Sequence, residues 1–365
     1  KNGAIKPGAS YKWEIKNNGK EYYFHIRHGQ YFHDGQELTA DNLPLSFKDV
    51  NRKIIDKYTV QLVLHDPYSP LLTSLAKPLV KQNLAGLGKY KIKNVDINGG
   101  FVRSLTLVLQ SDPSFRKVVS FYPTEDALKN SYTLGDIDIA HGIQSTNLKG
   151  SNLSSWTNTK VLKDKSYKVL VTIFYNTEDK NLSDKKVRQA LSYAVPGHFS
   201  QGERAYSSIP PTSIFFSETP NYGISNPEIS KSLLSQDSQV KKTVFEVSTT
   251  PDFLDVAKIV TEAWSKIGIK TKIKTVDELP RSFQILIYPI RLPEDPDQYT
   301  LWHSNQINNI TKYKNLRIDK LLEDGRSQND VEARIAIYSD FQKYLIDDAP
   351  ATFLYFPNFY TLQRK

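Results

Sequence analysis

Val169-Leu-Val-Thr-Ile-Phe-Tyr-Asn176, followed after a short gap by Ser183-Asp-Lys-Lys-Val-Arg-Gln-Ala-Leu-Ser-Tyr-Ala-Val195, is the stretch whose reading decides the fold. The first segment is rich in β-branched and aromatic residues and apolar on both alternating faces, so an inner strand covered on both sides is expected. The second places Val187, Ala190, Leu191 and Ala194 at helical spacing. Ser183 is positioned to accept a backbone N–H as the N-cap, and Pro196 and Gly197 stop the helix. A strand leading through a turn into a capped amphipathic helix is a βα unit, and on physical grounds alone it carries no function.

Around this stretch lie 365 residues, long for one core and suited to two domains. With 39% hydrophobic and 24% charged residues the chain reads as globular, and it has no apolar run near the ~18 residues that span a bilayer. The absence of cysteine removes disulfides, thiolate catalysis and Cys-based zinc sites, and fits an extracytoplasmic protein. Methionine is absent too, so Lys1 is not a natural start and a removed export signal is expected. Net charge is +9, but the lysines are scattered in ones and twos and no helix collects a basic stripe. Nucleic acid is therefore not an expected partner; an anionic envelope or acidic ligands make better use of the charge.

Toward the N-terminus, Tyr11–Ile15 and Glu21–Arg27 alternate about Asn17-Asn-Gly-Lys20, a hairpin signal. Leu38-Thr-Ala-Asp41 reads as a helix start capped by Thr39 and interrupted at Pro44, with a short connection to Asn51. His25, His28 and His33 suggest a metal, but residues three apart on a strand face opposite ways, so they are read as serving the hairpin and its turn. Ile54–Leu64 contains a strand over Tyr58–Leu64, and Leu71–Lys77 a short helix ended by Pro78. Gly86-Leu-Gly88 lacks a P-loop lysine and is taken as a crossing turn. Strands are expected at Val102–Gln110 and Val118–Tyr122, then a helix capped by Thr124, then a strand in Gly135–Ala140, an order that suggests a parallel sheet.

In the second half the loop from Pro210 to Ile224 has no period, and Asn226–Leu234 reads as a helix. Thr243–Thr249, Phe253–Ile267 and Ile269–Val276 form a βαβ unit, and Phe283–Tyr288 suits an inner strand. Ile318–Leu322 and Val331–Leu345 read as helices and Phe353–Phe356 as a strand, with no repeat of 20 to 50 residues. Beyond the Phe283–Tyr288 strand, the loop Pro289–Ser304 mixes aromatic and polar residues where open α/β sheets bind ligands. Asp295, Asp297 and His303 could do acid–base work, making a hydrolase with a 295–303 site the alternative function. No Gly-x-Ser-x-Gly, His-Glu-x-x-His or cysteine accompanies them, so an enzyme is not expected. Asp295-Pro also initiates turns and caps helices without any ligand.

Several blocks together carry a resemblance. They are Tyr11-Lys-Trp13, Phe24-His-Ile-Arg27, Phe32-His-Asp-Gly35, Gly86–Tyr90 and Gly135–Ala140, then Phe174-Tyr-Asn176 with Val187-Arg-Gln-Ala-Leu191, Asn226–Leu234, Asp295-Pro-Asp-Gln-Tyr299 and Asp319-Lys-Leu-Leu322. The chain resembles the family 5 extracytoplasmic solute-binding proteins, the peptide- and nickel-binding components of ABC importers, from about Trp13 to Tyr355. The resemblance implies an α/β, two-lobed, periplasmic-binding-protein-like fold (type II, peptide-binding cluster) with a small extra β-rich subdomain and interlobe hinge strands. Residues 1–85 would form that subdomain of the first lobe, 86–167 the first α/β lobe, 168–352 the second lobe, and 353–365 the return to the first. Crossings are expected through Lys168–Thr172 and near Tyr355.

It implies, further, a peptide or similar small solute bound in an interlobe cleft, clamshell closure, and delivery to an ABC permease, by a monomer without cofactor or metal. Localisation would be periplasmic or cell-surface, with tethering as a lipoprotein; a receptor or adhesin incompetent for transport shares the fold. The candidate ligand contacts are Tyr175, Asn176, Tyr288, Arg291, Glu294, Asp297, Tyr299, Trp302 and His303. Peptide-binding relatives carry an acid three residues before the Asp-Pro to hold the ligand's amine, and here that position is Leu292. Either Glu294 takes over the amine or Arg291 holds a carboxylate instead. Relatives also have a first-lobe strand lining the pocket ahead of the position of Lys1.

Overall fold

A computed structural model describes residues 5–365 apart from 46, 48, 219–223 and 236–237; parts of the Pro44–Asn51 connection and of the loop ending at Ile224 lie outside the described residues. Lys163–Phe359 form one compact unit, and the described residues up to Leu162 with Tyr360–Lys365 form the other. Among the described residues no helix is long and apolar enough to cross a membrane.

The N-terminal unit begins with β1 (Ser10–Lys16), β2 (Glu21–Ile26), β3 (Val50–Asp56) and β4 (Thr59–Leu64), an antiparallel sheet ordered β1-β2-β4-β3. Asn17, Asn18 and Gly19 turn the first hairpin with φ of 49°, 50° and 84°, a conformation Asn and Gly adopt at least cost. Tyr22, Ile26, Val60 and Leu62 bury one face with Phe32 and Leu38. The histidines join this packing: His33 Nδ1 accepts from Gly86 N at 3.2 Å while Nε2 donates to Gly88 O at 2.7 Å, and His28 stacks on Tyr58. After α1 (Leu71–Leu75) come β5 (Tyr90–Asn98), β6 (Phe101–Leu109) and β7 (Asp112–Ser120), an antiparallel meander. Next is α2 (Glu125–Leu134), its N-cap Thr124 accepting from Ala127 N and Gly135 closing it at φ 90°, then β8 (Ile139–Ile143) and β9 (Thr159–Lys165).

The second unit runs through β10 (Val169–Tyr175), α3 (Lys185–Tyr193), β11 (Gly202–Arg204), α4 (Pro227–Leu233), β12 (Val244–Thr249), α5 (Leu254–Ser265), β13 (Lys270–Thr275) and β14 (Ile285–Arg291). The short helix α6 (Tyr299–Trp302), then α7 (Leu316–Ser327), α8 (Val331–Asp348) and the long strand β15 (Ala351–Arg364) complete it. The sheet order is β9-β15-β10-β14-β12-β13. β10 is the inner strand expected, with Val171, Ile173 and Tyr175 packed against Val187, Ala190 and Leu191 of α3, and Leu170 and Phe174 in a second core under α7 and α8. β12 and β13 pair in parallel around α5, as the βαβ pattern predicts. The two-lobed α/β fold, with its added small sheet and strands passing from one lobe into the other, is present.

Three local expectations are corrected. Residues 38–43 make a turn rather than a helix: Asn42 Oδ1 takes the Thr39 N–H and Pro44 prevents continuation, leaving too few residues for a helical nucleus. The strand expected over Tyr58–Leu64 is β4, and β3 before it turns back at Asp56–Tyr58, where Asp56 Oδ1 accepts from Tyr58 N. The first lobe's strand-helix-strand is not parallel, because β7 is already paired to β6 through a tight turn and β8 pairs antiparallel with β15. The N-cap of α3 is Asp184, whose carboxylate accepts from Lys186 N, while the Ser183 hydroxyl donates to Lys180 O.

Arg188, in the middle of α3, is 5% exposed and donates to four carbonyls: Leu182 O (2.7 Å), Ser183 O (2.9 Å), Asp348 O (2.7 Å) and Ala349 O (3.1 Å). It ties the turn before α3 to the end of α8. Removing one buried charged donor strands several acceptors, so Arg188→Ala is expected to destabilise the fold by about 3–5 kcal/mol. Arg188→Lys, a point charge without the fork, should restore only part. Urea unfolding followed by circular dichroism measures both, and a wild-type midpoint for the alanine variant would refute this role.

Candidate ligand-binding site

The site is built on β14. β12 ends at Thr249, opposite Ile287, so among the described residues Tyr288–Arg291 run on with a ladder partner, β10, on one side only. Pro289 falls in this half, where a strand proline is tolerated because one side of the strand carries no ladder. Tyr288 and Ile290 face the second core, as the strand's period of two requires. There a cavity of ≈ 200 Å³ opens, walled by Phe174, Tyr288, Ile290, Leu301, Trp302 and Ile310. Leu279 and Asn308, both exposed, lie on its outer margin.

The loop after β14 is acidic, and its charges are engaged within the protein. Leu292 is buried and its N–H donates to Lys168 O. Glu294 meets Lys168 Nζ at 2.7 Å, and that hydrogen bond holds its carboxyl below the usual carboxylate value. Asp295 accepts both arms of the buried Arg334 at 3.0 and 2.5 Å, and its Oδ1 also accepts from Asp297 N. Asp297 accepts from Tyr299 N, starting α6, and pairs with Arg326 at 2.9 Å. The Arg326 guanidinium lies 4.0 Å over the Tyr299 ring, which contacts the His303 ring at 4.2 Å. His303 is buried; its Nδ1 accepts from Asn305 N, which leaves Nε2 to donate to Glu323 at 3.3 Å. Trp302 donates to Gln298 Oε1 at 2.9 Å with its ring edge-on to Phe353. No group of three or more His, Asp or Glu able to hold a metal occurs among the described residues.

Of the nine candidate contacts, Tyr288 and Trp302 meet at the cavity, while Asp297, Tyr299 and His303 form a cluster beside it. Arg291 is exposed at the end of β14 near Glu294. Tyr175 and Asn176 lie elsewhere: Tyr175 pairs with Ile285, at the other end of β14 from Arg291, about 20 Å along the strand. Tyr175 is fully buried in the α3-side core with its hydroxyl 2.8 Å from Thr352 Oγ1, and Asn176 Nδ2 donates to Phe283 O. The cavity residues that sequence reasoning missed, Phe174, Ile290, Leu301 and Ile310 among them, have no local signal separating them from ordinary core.

The sequence pattern described as bacterial extracellular solute-binding proteins, family 5 Middle, matches residues 4–288. The chain is 26% identical to the oligopeptide-binding protein AppA of Bacillus subtilis, the match covering 94% of this chain and 76% of that protein. It is 25% identical to the dipeptide-binding protein of Escherichia coli, covering 95% and 80%. The crystal structure of NikZ from Campylobacter jejuni in complex with Ni(L-His) superposes with a TM-score of 0.82 at 21% identity, over 100% of this chain and 86% of that one.

Two measurements test these assignments. Asp295→Ala, which leaves the Arg334 guanidinium buried and unpaired, is expected to cost about 3–5 kcal/mol, whereas Asp295→Leu with Arg334→Met should lie much closer to wild type; urea unfolding of each variant compares them. Burial also pushes the Tyr175 phenol up to about 12, and raises Tyr313, Tyr338 and Tyr355 as well. A raised folded-state value stabilises fully below the unfolded value of about 10 and is lost as pH rises through the folded one. Phenolate absorbance from these tyrosines should therefore appear together with loss of circular dichroism in an alkaline titration, and gradual ionisation of an intact fold would contradict it.

Proposed function

Because this chain belongs to the bacterial extracellular solute-binding proteins of family 5, we propose that it is the solute receptor of an ABC importer, that its solute is a peptide, and that it passes the peptide to a membrane permease. The observation that carries the peptide reading is the half-strand Tyr288–Arg291, laddered on one side and bordered by an aromatic cavity. An extended peptide added along such an edge gains sequence-tolerant main-chain hydrogen bonds, while an adjoining pocket takes a side chain. The names of its relatives, an oligopeptide-binding and a dipeptide-binding protein, agree with this reading.

In this reading Tyr288 and Trp302 touch the ligand, and Arg291 holds its carboxylate through a charge-assisted hydrogen bond. Glu294, on the same reading, stays paired with Lys168, and the ligand's charge is met at Arg291. Asp297, Tyr299 and His303 brace the wall. The pairing of Asp295 and Asp297 with arginines favours binding over the hydrolase alternative, since a general acid or base needs a proton it can exchange with substrate. The receptor works as a monomer tethered outside the cytoplasm as a lipoprotein. Ligand contacts to both lobes drive closure, because only a difference in affinity between open and closed forms shifts that equilibrium.

Native mass spectrometry of protein purified without refolding, together with scattering before and after peptide addition, tests the proposal. A ladder of short-peptide adducts and a smaller radius of gyration with ligand are expected. Peptide cleavage that Asp297→Ala abolishes would establish the hydrolase instead.

A further inference from the structure

The cavity beside β14 has a size and chemistry that go beyond a general peptide groove. Its ≈ 200 Å³ exceeds the roughly 150 Å³ at which an apolar protein cavity takes up benzene, and falls below the 300 Å³ or so where pockets for whole drug-sized ligands begin. One ring therefore fits, and a whole peptide does not. Its walls are aromatic and aliphatic: Phe174 and Trp302 are almost wholly buried, with Tyr288, Ile290, Leu301 and Ile310 completing them. The Trp302 ring N–H and the Thr311 hydroxyl are engaged by Gln298 and Asn309, which leaves as unengaged polar groups the Tyr288 hydroxyl and the Asn308 side-chain amide, neither of which has a hydrogen bond among the described residues. The carboxylates of the neighbouring loop point to their own cations, so no charge enters the cavity.

We infer that this cavity is a selectivity pocket for a single aromatic or large branched apolar side chain of the solute. The inference rests on the importer reading and narrows its substrate class, from peptides at large to peptides bearing one such residue. Charged side chains are rejected, since the loop's carboxylates are paired elsewhere and the pocket offers no opposite charge. Small ones such as Gly or Ala leave the cavity unfilled and forfeit its contacts. Leu279, 43% exposed on the margin, borders the entry and can be changed without disturbing the core.

The test uses the full chain, isothermal titration and four tripeptides: Ala-Ala-Ala, Phe-Ala-Ala, Ala-Phe-Ala and Ala-Ala-Phe. Indole alone serves as a probe of the cavity. At least one phenylalanine peptide is expected to bind roughly 10- to 100-fold tighter than Ala-Ala-Ala, the gain from burying one such side chain. Saturating indole should erase the difference, and so should Leu279→Trp, which narrows the entry. If all four tripeptides bind alike in both proteins, the pocket is refuted and the importer reading survives. If indole binds, is lost in Leu279→Trp, and no tripeptide binds, the pocket stands as an aromatic site and the peptide reading fails. Binding of neither overturns the pocket.

Discussion

One guanidinium gathers the second lobe. Arg188 collects carbonyls from the turn that precedes its own helix and from the end of α8, segments some 160 positions apart in the chain. A buried arginine is costly unless its donors are filled, and here four acceptors take four of the five N–H groups. The consequence extends past the helix ends. Once α8 stops at Ala349, Pro350 O accepts from Tyr175 N and the chain enters β15 already in register with β10. Thr352 then lies where both the Tyr175 and Ser192 hydroxyls reach it. The site strand β14 is aligned on the other side of β10, so its position follows from the same constraint.

The electrostatics of the loop after β14 follow a second logic. Four charged residues lie between Arg291 and Asp297, and the three acids among them each meet a cation supplied by a different element: Lys168 ahead of β10, Arg334 in α8 and Arg326 in α7. The two arginine pairs contribute little net stability because desolvation consumes most of the attraction, and the exposed Lys168–Glu294 pair little because solvent screens it. They fix the geometry of the loop instead, and they leave Arg291 as its outward-facing charge. The aromatic residues between them are thereby held in a wall, with Tyr299 pressed between Arg326 and His303. What borders the cavity is a rigid, uncharged surface.

The N-terminal lobe shows where pattern and pairing part company. The strand-helix-strand order from β7 through α2 to β8 is the order of a parallel unit, yet β7 is already committed to β6 and β8 finds β15. Nothing in the local sequence reports that commitment, since the partner of β8 lies more than 200 residues away. The hairpin of β1 and β2, by contrast, was legible because its Asn-Asn-Gly turn is a local property of the backbone.

The sequence by itself determined what depends on neighbours a few residues apart: the buried strand at Val169–Tyr175, the Thr124 cap, the βαβ unit around α5, and, through motif blocks spread along the chain, the family. Tertiary structure alone decided which of the loop's residues face outward. Asp297 and His303 read as chemistry in the sequence, and the folded chain ties them to Arg326 and Glu323 of α7. Tyr175 read as a contact and is core, because a strand covered on both faces leaves its tyrosine no route to solvent. The cavity itself is formed by side chains from two strands, a short helix and two loops, and a void between distant segments has no signature in any one of them.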